Sequence, residues 1–276
     1  MQNTPTLFDR SALTKHRARA ATDPALFLHE ASADELLERV EEVNRAFTCP
    51  AVVTGWPQIW ADRLPSAAIV SVEDVLELQP DAHDLIIHSL GLHWANDPVG
   101  QLVQCRHALR PDGMLLATLF GGETLQELRR CLAQAESQIS GGLSPRIAPM
   151  GEIRDLGGLL QRAGFALPVA DNAQITVTYE TAMGLMKDLR AMGESNAMMD
   201  RLRKPTPRAV LLTAAQIYAD TFANVDGRIP ATFDIITLTG WAPGPDQPQA
   251  LRPGSAKQRL SDALGALEIP LERSKQ

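Results

Sequence analysis

The run from residue 83 to 122, HDLIIHSLGLHWANDPVGQLVQCRHALRPDGMLLATLFGG, leaves this chain few folds to choose from. Asp84 to Leu90 is a short apolar run with an acid at its mouth. Pro98 sits where a first helical turn accepts it, and Leu102, Cys105 and Leu109 follow at helical spacing. Arg110-Pro-Asp-Gly113 signals a turn. Met114 to Phe120 is a second apolar run, closed by Gly121 and Gly122. Two buried strands joined by one helix make a βαβ unit, whose parallel crossover is almost always right-handed. An α/β, doubly wound sheet is the expected architecture.

Composition narrows the function. A formal net charge of −7 argues against a chain-wide nucleic-acid surface. Three cysteines, Cys49, Cys105 and Cys131, show no CxxC spacing, which fits a reducing compartment and offers no metal site. No apolar run approaches the ~20 residues needed to cross a bilayer, and the N-terminus lacks a signal-peptide core. A soluble, intracellular protein with one main core is expected, with peripheral membrane contact left open.

In chain order, residues 1–48 read as a helical arm. It opens on a basic stretch (Arg10, Lys15, Arg17, Arg19), taken as a solvated face. A helix follows from Ala33 to Phe47, with Ser32 and Asp34 as caps. A Rossmann-like core is expected over 49–179 and 229–242. Its first strand, Ala51-Val-Val-Thr, meets Gly55, but the next residues are Trp56 and Pro57. A cofactor loop wants several glycines there, so that backbone amides approach the ligand. Ala67 to Val70 is a second strand. Glu73 or Asp74 after it serves either to hold ribose hydroxyls or to cap a short helix.

Spacing then becomes informative. Only 29 residues separate Gly55 from Asp84. Two strands and three crossovers would need roughly 46, at about 12 per crossover and about 5 per strand. One βα unit is therefore expected to be missing from this side of the sheet. Downstream, helices over Glu123 to Ile139 and Glu152 to Ala163 lead to a strand at Ile175 to Tyr179. Residues 180–228 form a helical insert with a methionine stripe (Met183, Met186, Met192). Residues 231–241 form the last strand, and 243–276 a proline-rich tail with a short helix near Leu260 to Leu267.

The strings LHWANDP, LRPDGMLLATLFGGETLQELR, SPRIAP, DLGGLLQRAGFALPVAD, DLRAMGESNA, ATFDIITLTGW and RPGSAK closely resemble the methyltransferase-like assembly factors of respiratory complex I, an arginine-hydroxylase branch. More distantly, the chain resembles BioC-type methyltransferases. The resemblance implies a class I S-adenosyl-L-methionine methyltransferase sheet of seven strands with a helical insert before the last. It implies S-adenosyl-L-methionine as cofactor and a complex I subunit as partner, with no nucleic acid. It also implies a bacterial cytoplasm or a mitochondrial-matrix-like compartment. Its cofactor residues carry over to Gly55 and, loosely, to Asp74 and Ser89. The family's glycine-rich loop is replaced here by VVTGWPQIW.

Two constellations remain. His88 and His93 flank the end of the first central strand without a third ligand at metal spacing, so no metal is expected. His93, Trp94 and Asn96 lie at the carboxyl end of that strand, where α/β folds place ligands. They either line a pocket or fix the loop. Asp188, Arg190, Glu194 and Asn196 are a dense polar set near Gly193. Arg190 and Glu194 are spaced to pair on a helix. With Arg146 the set is expected to recognise a substrate or partner. No Ser-His-Asp order, P-loop or nucleophilic cysteine signature is present, so no catalytic residue is assigned. Two functions stand open: an S-adenosyl-L-methionine-dependent enzyme, by methyl transfer or arginine hydroxylation, and a cofactor-free assembly factor.

Overall fold

A computed structural model describes residues 6–245. Six strands form one sheet in the order β2-β1-β3-β4-β6-β5. They are β1 (Pro50–Thr54), β2 (Ala68–Ser71), β3 (His83–Ser89), β4 (Leu109–Phe120), β5 (Ala166–Tyr179) and β6 (Ile229–Trp241). β1 to β4 pair in parallel, and β6 runs antiparallel to both β4 and β5. The helices among the described residues are α1 (Arg10–Ala20), α2 (Phe27–Glu42), α3 (Pro57–Trp60), α4 (Pro98–Ala108), α5 (Gln126–Ser140), α6 (Ile153–Arg162), α7 (Ala182–Ala191) and α8 (Arg208–Phe222). Of the described residues, 6–243 form one compact unit. The tail from residue 246, with its helix near Leu260 to Leu267 and the RPGSAK run, lies outside the described residues.

The central βαβ unit is built as its pattern requires. Successive strand residues face opposite sides of a sheet, so a strand covered on both faces must be apolar throughout. In β3, Ile86 joins the core under α4 and α6, while Leu85 and Ile87 join the core under α2 and α3. A third cluster, under α5, α7 and α8, closes the β6 side around Phe233 and Ile235. Asp84 at the mouth of β3 is only 7% exposed. It accepts from Thr48 N, Thr48 Oγ1 and Cys49 N at 2.6, 2.9 and 2.9 Å, and so sets where the chain enters β1. Burial alone would raise its pKa; these bonds outweigh burial and lower it.

Among the described residues six strands are present where the resemblance implies seven, and the shortfall lies on the β2 side. β2 is the edge strand, and the chain from Val72 to Ala82 returns to β3 with no helix. α7 and α8 form the helical insert between the last two strands.

Several local expectations shift. α2 starts at Phe27, because the buried stripe already includes Leu28, His29 and Ser32. Ser32 and Asp34 are therefore interior to the helix and cap nothing. Ser32 donates to Thr118 Oγ1 at 3.1 Å, and Asp34 accepts from Arg63 Nε at 2.7 Å. No helix follows β2, so Glu73 and Asp74 cap none. The Arg110–Gly113 turn is absorbed into β4 as an irregularity: pairing jumps from His83–Leu109 to Leu85–Met114. β5 begins at Ala166, well before Ile175. No helix among the described residues is long and apolar enough to cross a membrane.

Candidate functional site

The carboxyl ends of β1 to β4 meet on one rim, where open α/β sheets collect their ligands. At β1 the chain turns through Gly55 into Trp56. α1 lies directly over this turn. A Cβ on Gly55 would stand 2.5 Å from Arg17 Nη1, so only glycine lets the guanidinium rest there. Trp56 is folded inward at 3% exposure, its amide donating to Thr54 Oγ1 at 3.0 Å. Pro57 opens the four-residue α3. The basic opening stretch is thus a solvated face only in part: Lys15 and Arg19 are exposed, whereas Arg10 and Arg17 turn inward because two turns of helix separate them and place both toward the strand ends.

These residues do not fit S-adenosyl-L-methionine. Glycine-loop amides would have to approach the cofactor closely, but Arg17 and Trp56 occupy that approach. The cofactor's sulfonium is a cation, and the cavity here is faced by Arg10 and Arg17. The positions that carried the cofactor expectation lie on this same rim, Thr54 beside Gly55 pairing with Ser89 across β1 and β3, but none is left open to a cofactor. Gly55 lies under Arg17, and Ser89 is buried at the end of β3. Asp74 is an exposed carboxylate 3.7 Å from Arg10 Nε.

On the other side of Arg17 lies a buried charged cluster. α7 ends at Ala191, and Gly193 takes φ +77, a left-handed conformation that favours glycine. Glu194 N then donates to Leu189 O at 3.0 Å and Gly193 N to Arg190 O at 3.2 Å, a Schellman closure. This turn sends Glu194 inward, so the Arg190–Glu194 helix pair does not form: the helix has stopped before Glu194. Glu194 Oε2 instead accepts from Trp94 Nε1 at 2.6 Å and lies 3.1 Å from His93 Nε2. Both side chains of the His93–Glu194 pair are nearly inaccessible, at 3% and 6%. Burial pushes the Glu194 carboxyl up. His93, by charge and hydrogen bond, with Arg17 and His29 behind it, outweighs burial and holds it at about 2. Glu194 Oε1 has no hydrogen-bond partner.

That carboxylate stands at the edge of a cavity of about 450 Å³. The walls are mostly apolar, including Phe120, Leu125, Leu128, Met150, Met186 and Phe233. Of the residues expected to recognise a substrate, Trp94, Arg146, Arg190, Glu194 and Asn196 all line it. His93 sits behind, its ring tilted against Phe120 with centroids 4.8 Å apart. Asn96 points elsewhere: its Oδ1 accepts from Leu7 N and Phe8 N at 2.9 and 2.8 Å, clamping the N-terminal segment. Asp188 faces Tyr179, whose hydroxyl is raised first by burial and then by that carboxylate. Asn196 Nδ2 donates to Pro145 O at 2.8 Å, tying the turn after α7 to the SPRIAP loop.

Arg146 is held rather than free. It donates to Glu136 at 2.6 and 3.1 Å and to Thr206 Oγ1 at 2.8 Å. Glu136 is 5% exposed, and its carboxyl lies at about 2, lowered first by Arg146. Arg146→Ala is expected to cost roughly 3 kcal/mol or more, because it strands a buried carboxylate. A drop of less than about 1 kcal/mol in urea unfolding would contradict this pairing.

Arg17, His29, Glu136 and Arg10 were not singled out as site residues. Lone charges on amphipathic helices carry no mark of the side that will close over them. Gly193, preceding a dense polar set, was the nearest signal.

No family model matches the chain. It is 42% identical over 197 residues to the arginine-hydroxylase NDUFAF5, mitochondrial, of Dictyostelium discoideum, covering 71% of this chain and 45% of that protein. It is 35% identical over 179 residues to a malonyl-[acyl-carrier protein] O-methyltransferase of Xylella fastidiosa, covering 65% of this chain and 58% of that protein. The chain spans about half the length of such curated relatives. Among solved structures, the phosphoethanolamine N-methyltransferase 2 of Haemonchus contortus in complex with S-adenosyl-L-methionine is 12% identical, with a TM-score of 0.42 over 76% of this chain and 52% of that one.

Proposed function

Since the chain is a homologue of the NDUFAF5 arginine hydroxylases and, more distantly, of BioC-like malonyl-[acyl-carrier protein] methyltransferases, we propose that it is a methyltransferase-like assembly protein for a respiratory complex. It holds an arginine-bearing segment of a complex I subunit without using S-adenosyl-L-methionine. The observation that carries this reading is Glu194. One of its oxygens is fixed by Trp94 and His93, and the other is buried, unpaired and next to an apolar-walled cavity.

A buried carboxylate oxygen without a donor is costly, and a guanidinium is the side chain whose rigid fork best satisfies it. The long apolar stem of arginine suits walls of leucine, methionine and phenylalanine. Arg190, exposed at the rim, favours an acidic neighbour on the same segment. The relatives' mitochondrial setting, or the bacterial cytoplasm, is the compartment that goes with this role.

Calorimetric titration separates this reading from a cofactor-dependent enzyme. N-acetyl-arginine amide is expected to bind at least tenfold more tightly than the uncharged citrulline analogue. S-adenosyl-L-methionine and S-adenosylhomocysteine are expected to give no heat at millimolar concentration. Cofactor binding tighter than about 100 μM, roughly −5.5 kcal/mol, would sink the cofactor-free reading. Deleting the gene is expected to lower complex I activity, and unchanged activity would remove the assembly role.

A further inference from the structure

A second cavity, of about 340 Å³, opens between α1 and the ends of β1 and β2. Its walls include Arg10, Arg17, Thr54, Trp56, Ser71 and Glu73. It lies across Arg17 from the Glu194 pocket. A Cβ on Gly193 would meet Arg17 Cγ at 3.0 Å, so the turn that carries Glu194 packs against the back of this arginine.

The Arg17 side chain makes no hydrogen bond or ion pair among the described residues, and its Nε is sealed from solvent. The carboxylates whose charge reaches it are Glu194 and Glu73. One oxygen of Glu194 is committed to Trp94 and His93. Glu73 is 61% exposed and leans toward Arg10, at 3.4 Å. Burial accordingly lowers the Arg17 pKa, the mark of a guanidinium taken out of water without a close counter-ion. Arg10 is half satisfied. Its Nη2 donates to Val72 O and to Glu73, while Nη1 is buried with no partner. Two cations with unused donors therefore share one cavity; the acids near them, Glu73 on its wall and Asp74 3.7 Å from Arg10 Nε, are both exposed and both lie against Arg10 rather than Arg17.

We propose that this cavity is an anion site that takes the phosphate group of a phosphorylated small molecule between Arg17 and Arg10. Two guanidinium forks approach from positions a helical repeat apart, and arginine pairs with phosphate oxygens through two donors at once. Thr54 Oγ1 accepts from Trp56 N, which leaves its own proton free to donate, and the Ser71 hydroxyl stands on the neighbouring strand. Donors from several directions suit a tetrahedral oxyanion better than a planar carboxylate. The cavity is larger than a phosphate needs and falls at the small end of the range for organic ligands, so the rest of the molecule lies along Trp56 and Val72. The site stands where a methyltransferase of this fold carries its cofactor. Here the charge facing the ligand is reversed.

The test uses the full chain in phosphate-free buffer, titrated calorimetrically with inorganic phosphate, pyrophosphate, AMP and acetate. Pyrophosphate or AMP is expected to bind at least tenfold more tightly than acetate, with affinity falling as salt rises. Arg17→Gln is expected to weaken that binding by tenfold or more. The same variant, without ligand, is expected to melt within a few degrees of the wild type: an unpaired guanidinium no longer has to be buried, which offsets the loss of the positive charge facing Glu194. Pyrophosphate is expected to raise the wild-type melting temperature and leave that of Arg17→Gln unmoved. If inorganic phosphate alone binds as tightly as AMP, the site reads the anion and nothing else, and the organic part of the proposal is overturned. No heat from any of the four at about 10 mM, or undiminished binding in Arg17→Gln, overturns the whole. So does an unliganded Arg17→Gln protein that melts well below the wild type, since Arg17 would then be a structural residue.

Discussion

Glu194→Ala is expected to cost the fold roughly 3–5 kcal/mol and to abolish capture of the arginine analogue in the apolar cavity. The stability loss follows from what the substitution leaves behind. Trp94 Nε1 loses its acceptor at 2.6 Å while the ring stays 4% exposed, and His93 loses its partner at 3.1 Å. Arg17 and His29 lose the negative charge that faces them across the cluster. At about 2–4 °C per kcal/mol for a domain of this size, melting should fall by about 6–20 °C. Glu194→Gln separates the two effects. Its amide oxygen still accepts from Trp94, so much of the stability returns. The charge does not, so the arginine analogue should bind at least tenfold more weakly. An alanine variant within about 0.5 kcal/mol of the wild type would end the view of Glu194 as the charged centre of the site.

Acid is expected to dismantle the protein between about pH 6.5 and 4, with two buried histidines leading the loss. His29 and His88 are both 1% exposed or less. Burial, the largest cause, lowers each to about 4. The sign is fixed by linkage. A histidine that resists protonation when folded but accepts a proton near 6.5 when unfolded leaves stability intact above 6.5. Stability is then lost steadily as pH falls toward 4. Each contributes roughly 3 kcal/mol to that loss, and the pair roughly 6, against about 5–15 for a whole domain. Glu194, held at about 2, keeps its contribution above its ordinary value near 4.5 and loses it only as pH falls toward 2.

The two histidines differ in their surroundings. His88 Nε2 lies 3.0 Å from Gln101 Oε1, and Gln101 Nε2 donates to Glu73 O at 2.7 Å. That ordering makes His88 Nε2 the donor, and it links β3, α4 and the chain after β2. His29 has no partner at either nitrogen and stands edge-on to Trp56 at 6.1 Å. His29→Phe should therefore halve the acid slope and leave the protein more stable than the wild type at pH 4.5. Urea unfolding at pH 7, 5.5 and 4.5 measures both. A flat stability profile over that interval would show that neither ring is buried in its neutral form.

Much of this was legible before any coordinates. The continuous apolar runs at Asp84 to Leu90 and Met114 to Phe120 are what a parallel strand covered on both faces must look like, and both are buried strands. The 29-residue interval from Gly55 to Asp84 was too short for another βα unit, and β2 is the edge strand. The helix read over Glu152 to Ala163 is α6, and it stops where Gly164 takes φ +83. Boundaries were harder to read: Ser32 looked like a cap because serine is good at it, but burial of Leu28 and His29 carries the helix nearly two turns further upstream, to Phe27.

The sequence by itself determined the strand pattern, the lost unit, the helical insert and the group of polar residues around Gly193. All of these depend on neighbours close in the chain, and local periodicity records them. Only the tertiary structure decided the company each charge keeps. Arg190 and Glu194 had the right spacing to pair, yet one left-handed glycine turned Glu194 to Trp94 and His93, about a hundred residues away. Arg17 read as a solvated charge on an N-terminal helix. Docking of α1 over Gly55 placed it inside, because a helix face is wet or dry only according to what closes over it.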